Sequence, residues 1–153
     1  MMASGKSTVG RLLAGQLGVP FQDLDDVVVA RAGMSIAEIF ARLGEAAFRA
    51  MEREALATLP AGAVVALGGG AVPPADATVI CLTAGMDETL RRLEGAAQRP
   101  LLSRAPDPRL ELESLLEKRA SRYREADLTV DTTDRKPESV AEEIATWIRS
   151  RSN

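Results

Sequence analysis

Apolar residues recur along this chain in two rhythms. Val9, Leu12, Leu13 and Leu17 fall at helical spacing, and Gly18 follows where a helix-ending residue belongs. Val19-Pro20-Phe21 then enters a short buried strand that ends at Asp23-Leu24-Asp25-Asp26, and Val27 to Ala32 is predicted helical up to Gly33. A further helix is expected from Ser35, with Glu38 three residues on completing a capping-box pattern. Glu45 to Leu59 makes a third helical piece, carrying Phe48, Met51, Ala55 and Leu59 on one stripe and Arg49, Glu52 and Arg53 on another face, where surface pairing is the plain expectation.

The rhythm then changes to continuous apolar runs. Ala63 to Leu67 leads into Gly68-Gly69-Gly70, which suggests a buried parallel strand and a loop where backbone approaches something closely. Ala77 to Leu82 is a second such run, Glu88 to Glu94 a helix, and Gly95 to Asp107 a polar stretch of the length that lids have. Asp107-Pro108 supplies a cap and first-turn proline for a helix to about Tyr123. Leu128 to Val130 gives a last strand, and Pro137 opens a helix with Val140, Ile144, Trp147 and Ile148 inward. Strands alternating with helices predict an α/β domain with a parallel sheet, and carboxylates at a strand's C-terminal end stand where such sheets bind ligands.

Composition narrows the chemistry. With 153 residues, 46% of them hydrophobic, the chain can bury one ordinary core, so a single domain over 1–153 is expected. A net charge of −3 argues against nucleic acid or an anionic membrane as the partner. The absence of histidine excludes Ser-His-Asp and Cys-His nucleophilic sites and the usual zinc sites, leaving acid-base work to carboxylates, Lys or Arg. The single Cys81, in an apolar run, reads as a buried inert thiol in a reducing cytoplasm.

Ser4-Gly5-Lys6-Ser7-Thr8 contains most of the phosphate-binding pattern G-x-x-x-x-G-K-[ST], whose first glycine would precede Met1. Lys6 and Ser7 are the residue types that hold nucleotide phosphate and magnesium, and the helix behind them points free N–H groups at the same anion.

Taken together, SGKST, DLDD, SIAEIF, GEAAFRAMERE, LGGGAV, RPLL, KRASRYREAD and VDTTDRKP resemble shikimate kinase, in that order and across essentially the whole chain. The resemblance implies a three-layer P-loop fold with strand order 2-3-1-4-5. It also implies transfer of a phosphoryl group from ATP to the 3-hydroxyl of shikimate, a step toward chorismate and the aromatic amino acids, by a cytoplasmic monomer with a lid near 95–108. Such transfer depends on positioning and charge neutralisation. By the family pattern Ala3, Ser4, Gly5, Lys6, Ser7 and Thr8 surround the ATP phosphates, and Ser7 and Asp23 hold Mg2+. Asp25 is the candidate general base, with Asp26 left as a helix cap. Arg49 and Arg119 would hold the shikimate carboxylate, Gly69 and Gly70 would contact the substrate, and Phe40 and Phe48 would wall the pocket, core packing being their other reading. Arg99 is the lid arginine, and Arg92 and Arg135 match the adenine-holding region.

Two departures from that pattern carry expectations. The family's first strand, central in its sheet, precedes the loop and is missing here, leaving four strands. Losing several buried side chains at roughly 1.5–3 kcal/mol each against a net stability of about 5–15 kcal/mol predicts poor folding or weak ATP binding, and a gene product starting roughly ten residues upstream. After Gly70 the chain reaches its next strand early, so the usual helix there is expected to shrink to a turn. A kinase for another small hydroxy acid such as gluconate, and a non-catalytic ligand-binding domain of this fold, are the competing readings. Arg49, Gly69 and Arg119 favour shikimate, and the presence of Lys6, Asp25 and Arg99 favours catalysis.

Overall fold

The computed structural model of the protein describes residues 4–94, 109–110, 113–114, 117 and 125–151. Its contacts divide into two compact units, one of Lys6–Pro74 with Pro137–Asn153, the other of Met1–Gly5 with Ala75–Lys136. Ala3, Arg99, Arg119 and the expected lid at 95–108 lie outside the described residues.

In the first unit, helix α1 (Lys6–Leu17) buries Val9, Gly10, Leu13 and Ala14 and ends at Gly18, whose φ of 69° is the left-handed turn a glycine makes without strain. It packs on strands β1 (Phe21–Asp23) and β2 (Val64–Ala66), which pair in parallel with Phe21 opposite Val64 and Asp23 opposite Ala66. A Cβ on Gly10 would lie 2.7 Å from the Phe21 ring, so the glycine sets how closely the helix approaches the sheet.

Helix α2 (Leu24–Ala32) starts three residues before the predicted Val27, and the strand ahead of it stops at Asp23 instead of Asp26. The cause is local. Asp23 takes extended backbone angles, and its carboxylate accepts from the Asp25 amide at 3.2 Å, so it is the cap. Asp26, expected to cap, is an exposed first-turn residue 3.9 Å from Arg11.

Helix α3 (Ile36–Ala57) joins the two predicted pieces, and Ser35 and Glu38 form the full capping box. The pieces are still distinct, because Gly44 breaks the helix with φ 80° and ψ 173°, a combination essentially confined to glycine. The helix ends before Leu59, where Thr58 caps it and accepts a hydrogen bond from Arg31. Leu24, Val28, Ile39, Phe48 and Ala55 form the core between α2 and α3. The C-terminal helix of this unit, Pro137–Arg151, turns Val140, Ala141, Ile144 and Ala145 inward, with the expected Trp147 and Ile148 only half-buried. Small alanines there let it lie against α1.

In the second unit, strands β3 (Ile80–Thr83) and β4 (Leu128–Asp131) pair in parallel, with the Cys81 thiol buried. The strand begins later than the predicted Ala77, behind a turn at 75–77 that follows Pro73-Pro74 and stands where the usual helix was expected to shrink. Helix α4 (Met86–Glu94) follows, and in chain order the Pro137–Arg151 helix is α5. Among the described residues the four strands thus form two parallel pairs, matching the 2-3 and 4-5 neighbours of the order 2-3-1-4-5.

Candidate active site

Gly5, at φ 82°, turns the chain into α1, whose first turn carries no acidic side chain to compete for its positive end. Lys6 opens that helix and Ser4 is buried. One residue further, the Ser7 hydroxyl donates to Asp23 Oδ2 at 2.5 Å, so the two predicted metal ligands meet across sixteen residues of sequence. The other oxygen of Asp23 caps α2, which fixes the carboxylate between helix start and hydroxyl. A hydroxyl and a carboxylate are hard oxygen donors of the kind Mg2+ takes, so this pair suits the ion.

Asp25 projects from the first turn of α2 toward the Gly68 loop. A Cβ on Gly68 would lie 3.2 Å from Asp25 Oδ1 and 3.0 Å from Glu52 Oε1, so both carboxylates press on one bare α-carbon. Two residues on, a Cβ on Gly70 would sit 2.6 Å from the Arg49 guanidinium. At Gly68 and Gly70 the bare α-carbons thus leave room for two acids and a cation against the loop backbone.

Arg49 is gripped from its own helix. It donates to Glu52 at 2.6 Å and to Glu45 at 3.1 and 3.3 Å, and its guanidinium carbon lies 5.3 Å from the Phe48 ring centre. Partial burial disfavours the cation, but the hydrogen bond and charge of Glu52, then those of Glu45, outweigh it and raise its pKa. Phe48 is buried in the core, and Phe40, 38% exposed, stands against it at 4.8 Å with the rings tilted 40°. Arg49, Glu52, Leu56, Gly70 and Val72 line a shallow cleft of about 50 Å³.

Glu52 is the residue the sequence reading missed. Its side chain is 3% exposed, and its Oε1 has no hydrogen-bond partner among the described residues. A buried acceptor left open costs about 1–3 kcal/mol, so its retention needs a reason. The signal was present. Position 52 lies four residues after Phe48 and three before Ala55, on the apolar stripe, so the Arg49–Glu52 pair faces inward and is no surface pairing.

In the other unit, Arg92 donates to Glu88 Oε1 at 2.6 Å, to the Thr132 hydroxyl at 3.0 Å and to the Thr132 carbonyl at 2.9 Å. Arg91 shares the same carboxylate through Oε2. The Glu88 carboxyl is held below its ordinary range chiefly by the hydrogen bond from Arg91, burial opposing and Arg92 assisting. Arg135 reaches the Asp131 carbonyl at 3.3 Å, and Thr133 donates to the Asp131 carboxylate through both hydroxyl and amide, lowering its pKa. The structure thus brings together Ser7 with Asp23, Asp25 with Arg49, Glu52 and the glycine loop, and, separately, Arg92 with Glu88 and Thr132.

The chain is similar to known proteins over most of its length. The family model described as shikimate kinase matches residues 2–149. The shikimate kinase of Geobacter sulfurreducens is 46% identical over 97% of this chain and 87% of its own, and that of Salinispora arenicola 47% identical over 93% and 90%. Among solved structures, shikimate kinase from Acinetobacter baumannii, in complex with shikimate, superposes with a TM-score of 0.84 at 30% identity, covering 98% of this chain and 89% of that one. The Bacteroides thetaiotaomicron shikimate kinase gives 0.85 at 31% identity over 97% and 94%. No helix among the described residues is long and apolar enough to cross a membrane. The chain belongs to the shikimate kinase family, ATP-using transferases that phosphorylate an alcohol group.

Proposed function

We propose that this chain transfers the γ-phosphoryl group of ATP to the 3-hydroxyl of shikimate, giving shikimate 3-phosphate and ADP, as a cytoplasmic monomer. The observation that carries the reading is the meeting of Asp25, Arg49 and Glu52 at the Gly68–Gly70 backbone. An acceptor with a carboxylate at one end and hydroxyls at the other needs a cation and a base spaced across one small cleft, and α3 and α2 supply them.

Arg49, held in place by Glu45 and Glu52, offers its remaining guanidinium N–H groups to the carboxylate, and Gly69 and Gly70 leave backbone open to the substrate. Phe40 and Phe48 flank the ring. Asp25 accepts the proton of the attacking hydroxyl as the oxygen–phosphorus bond forms and the bond to ADP breaks. Lys6, with Ser4, Gly5 and Thr8 about the loop, neutralises phosphate charge, and Arg92 and Arg135 serve the adenine. Ser7 and Asp23 would hold Mg2+, which when bound offsets the negative charge of the phosphates. Ala3, Arg99 and Arg119 keep the roles the family pattern implies, around the phosphates, over them, and on the substrate carboxylate.

Release of ADP, followed by a coupled assay with shikimate, with gluconate and with no acceptor, tests this. Shikimate alone should support turnover. Turnover with gluconate instead, or equal release with no acceptor, would sink it.

A further inference from the structure

Resting on the reading of Arg92 as an adenine contact, we infer that Glu88 and Thr132 are positioning residues that hold the Arg92 guanidinium as a flat, fixed platform for the nucleotide base. The donors of a guanidinium lie in its plane. Here all three nitrogens are engaged: Nε with Glu88, Nη1 with the Thr132 hydroxyl and Nη2 with the Thr132 carbonyl. Bonds made at the edge pin the plane and leave the faces, and the face of an arginine is what stacks on a π system.

The anchors are themselves anchored. Thr132 is 3% exposed, and both its hydroxyl and its amide donate to the Thr83 carbonyl at 2.8 Å, which ties it to the end of β3. Glu88 is buried on α4, with each oxygen occupied. Arg91 shows the contrast. It shares the carboxylate of Glu88 yet is 72% exposed, against 25% for Arg92. Arg92 is thus held by two elements at once, so stacking a base on it freezes little further side-chain motion, and that preorganisation appears as affinity.

A role limited to joining α4 to β4 would change stability alone. Affinities for ADP, which carries the base, and for inorganic tripolyphosphate, which lacks it, separate the two. In Glu88→Ala and Thr132→Val, ADP should bind about tenfold more weakly, with tripolyphosphate affinity and the KM for shikimate within about twofold of the parent. Thr132→Ser should restore ADP binding. A lower Tm with an unchanged ratio of ADP to tripolyphosphate affinity would overturn the inference. If Arg92→Ala also leaves that ratio unchanged, the adenine role of Arg92 falls with it. If Arg92→Ala lowers the ratio and Glu88→Ala does not, the positioning role alone fails.

Discussion

Both units set an arginine against a glutamate on one helix, and they do so to different ends. On α3 Arg49 precedes Glu52 by three residues, and the buried acid spends one oxygen on the arginine and keeps the other open among the described residues. On α4 Glu88 precedes Arg92 by four, and both oxygens are taken, one by each of two arginines. The first pair lies on a helix broken by glycine and faces a loop of glycines; the second is closed by Thr132 at a strand end. A pair that is fully satisfied fixes a shape, whereas one left partly open beside a cleft retains capacity for a ligand. The same two residue types thus yield a platform in one place and an acceptor site in the other.

The sharpest way to test the open side is at its neighbour. Asp25→Asn should lower kcat by roughly 10²–10⁴-fold with the KM for ATP nearly unchanged, because it removes a base and little binding. Equal loss in kcat and ATP affinity, measured by steady-state kinetics and calorimetry, would place Asp25 outside the chemical step. Next comes the pair itself. Glu52→Ala strips the arginine of its buried partner, and breaking such a pair costs up to about 3–5 kcal/mol where burial is complete, less here because Arg49 is 29% exposed. Thermal unfolding should show a clear fall in Tm, and the KM for shikimate should rise more than that for ATP. A KM effect shared equally by both substrates would break the contrast between the two regions.

A smaller effect is expected from Gly70→Ala. The added carbon would fall 2.6 Å from the end of a flexible side chain, so Arg49 moves and the fold survives. The KM for shikimate should rise by about three- to tenfold, on the order of 1 kcal/mol, with Tm little altered. Unchanged KM would show that Arg49 has another working position.

The smallest effect belongs to the pH dependence of stability at Glu88. The folded state lowers the pKa of Glu88, so its contribution is fully present above the ordinary glutamate value and is lost as pH falls through the lowered one. Acid titration of stability should therefore be slightly shallower in Glu88→Gln than in the parent below the ordinary glutamate range. Identical slopes would show that the carboxyl charge is not used.

Much of this was legible in the residues. The apolar spacing of α1, the Ser35–Glu38 box and the Gly68–Gly70 run each express a local rule, and local rules survive folding. Element edges were less so. Asp23 and Asp25 are equally good caps by composition, and only the side-chain bond to the Asp25 amide decides where the helix begins. Glu52 was misread because its spacing to Arg49 has the form of a surface pair, and burial follows from a partner loop distant in sequence. Thr132 gave no sign at all, since a threonine after a strand has many uses and its bond to Arg92 spans forty residues. The lid at 95–108, Arg99 and Arg119 rest on family pattern.

Gly44 changes how the Phe40–Phe48 pair should be regarded. Eight residues of unbroken helix would set Phe40 and Phe48 about 12 Å apart along the axis, too far for rings 4.8 Å apart to be the natural outcome. One backbone joint, with no atoms crowding it, therefore sets the spacing of two rings that no other residue could adjust so cheaply. The spacing of that ring pair is in that sense written in a pair of dihedral angles, and a side chain at position 44 would move the rings without touching them.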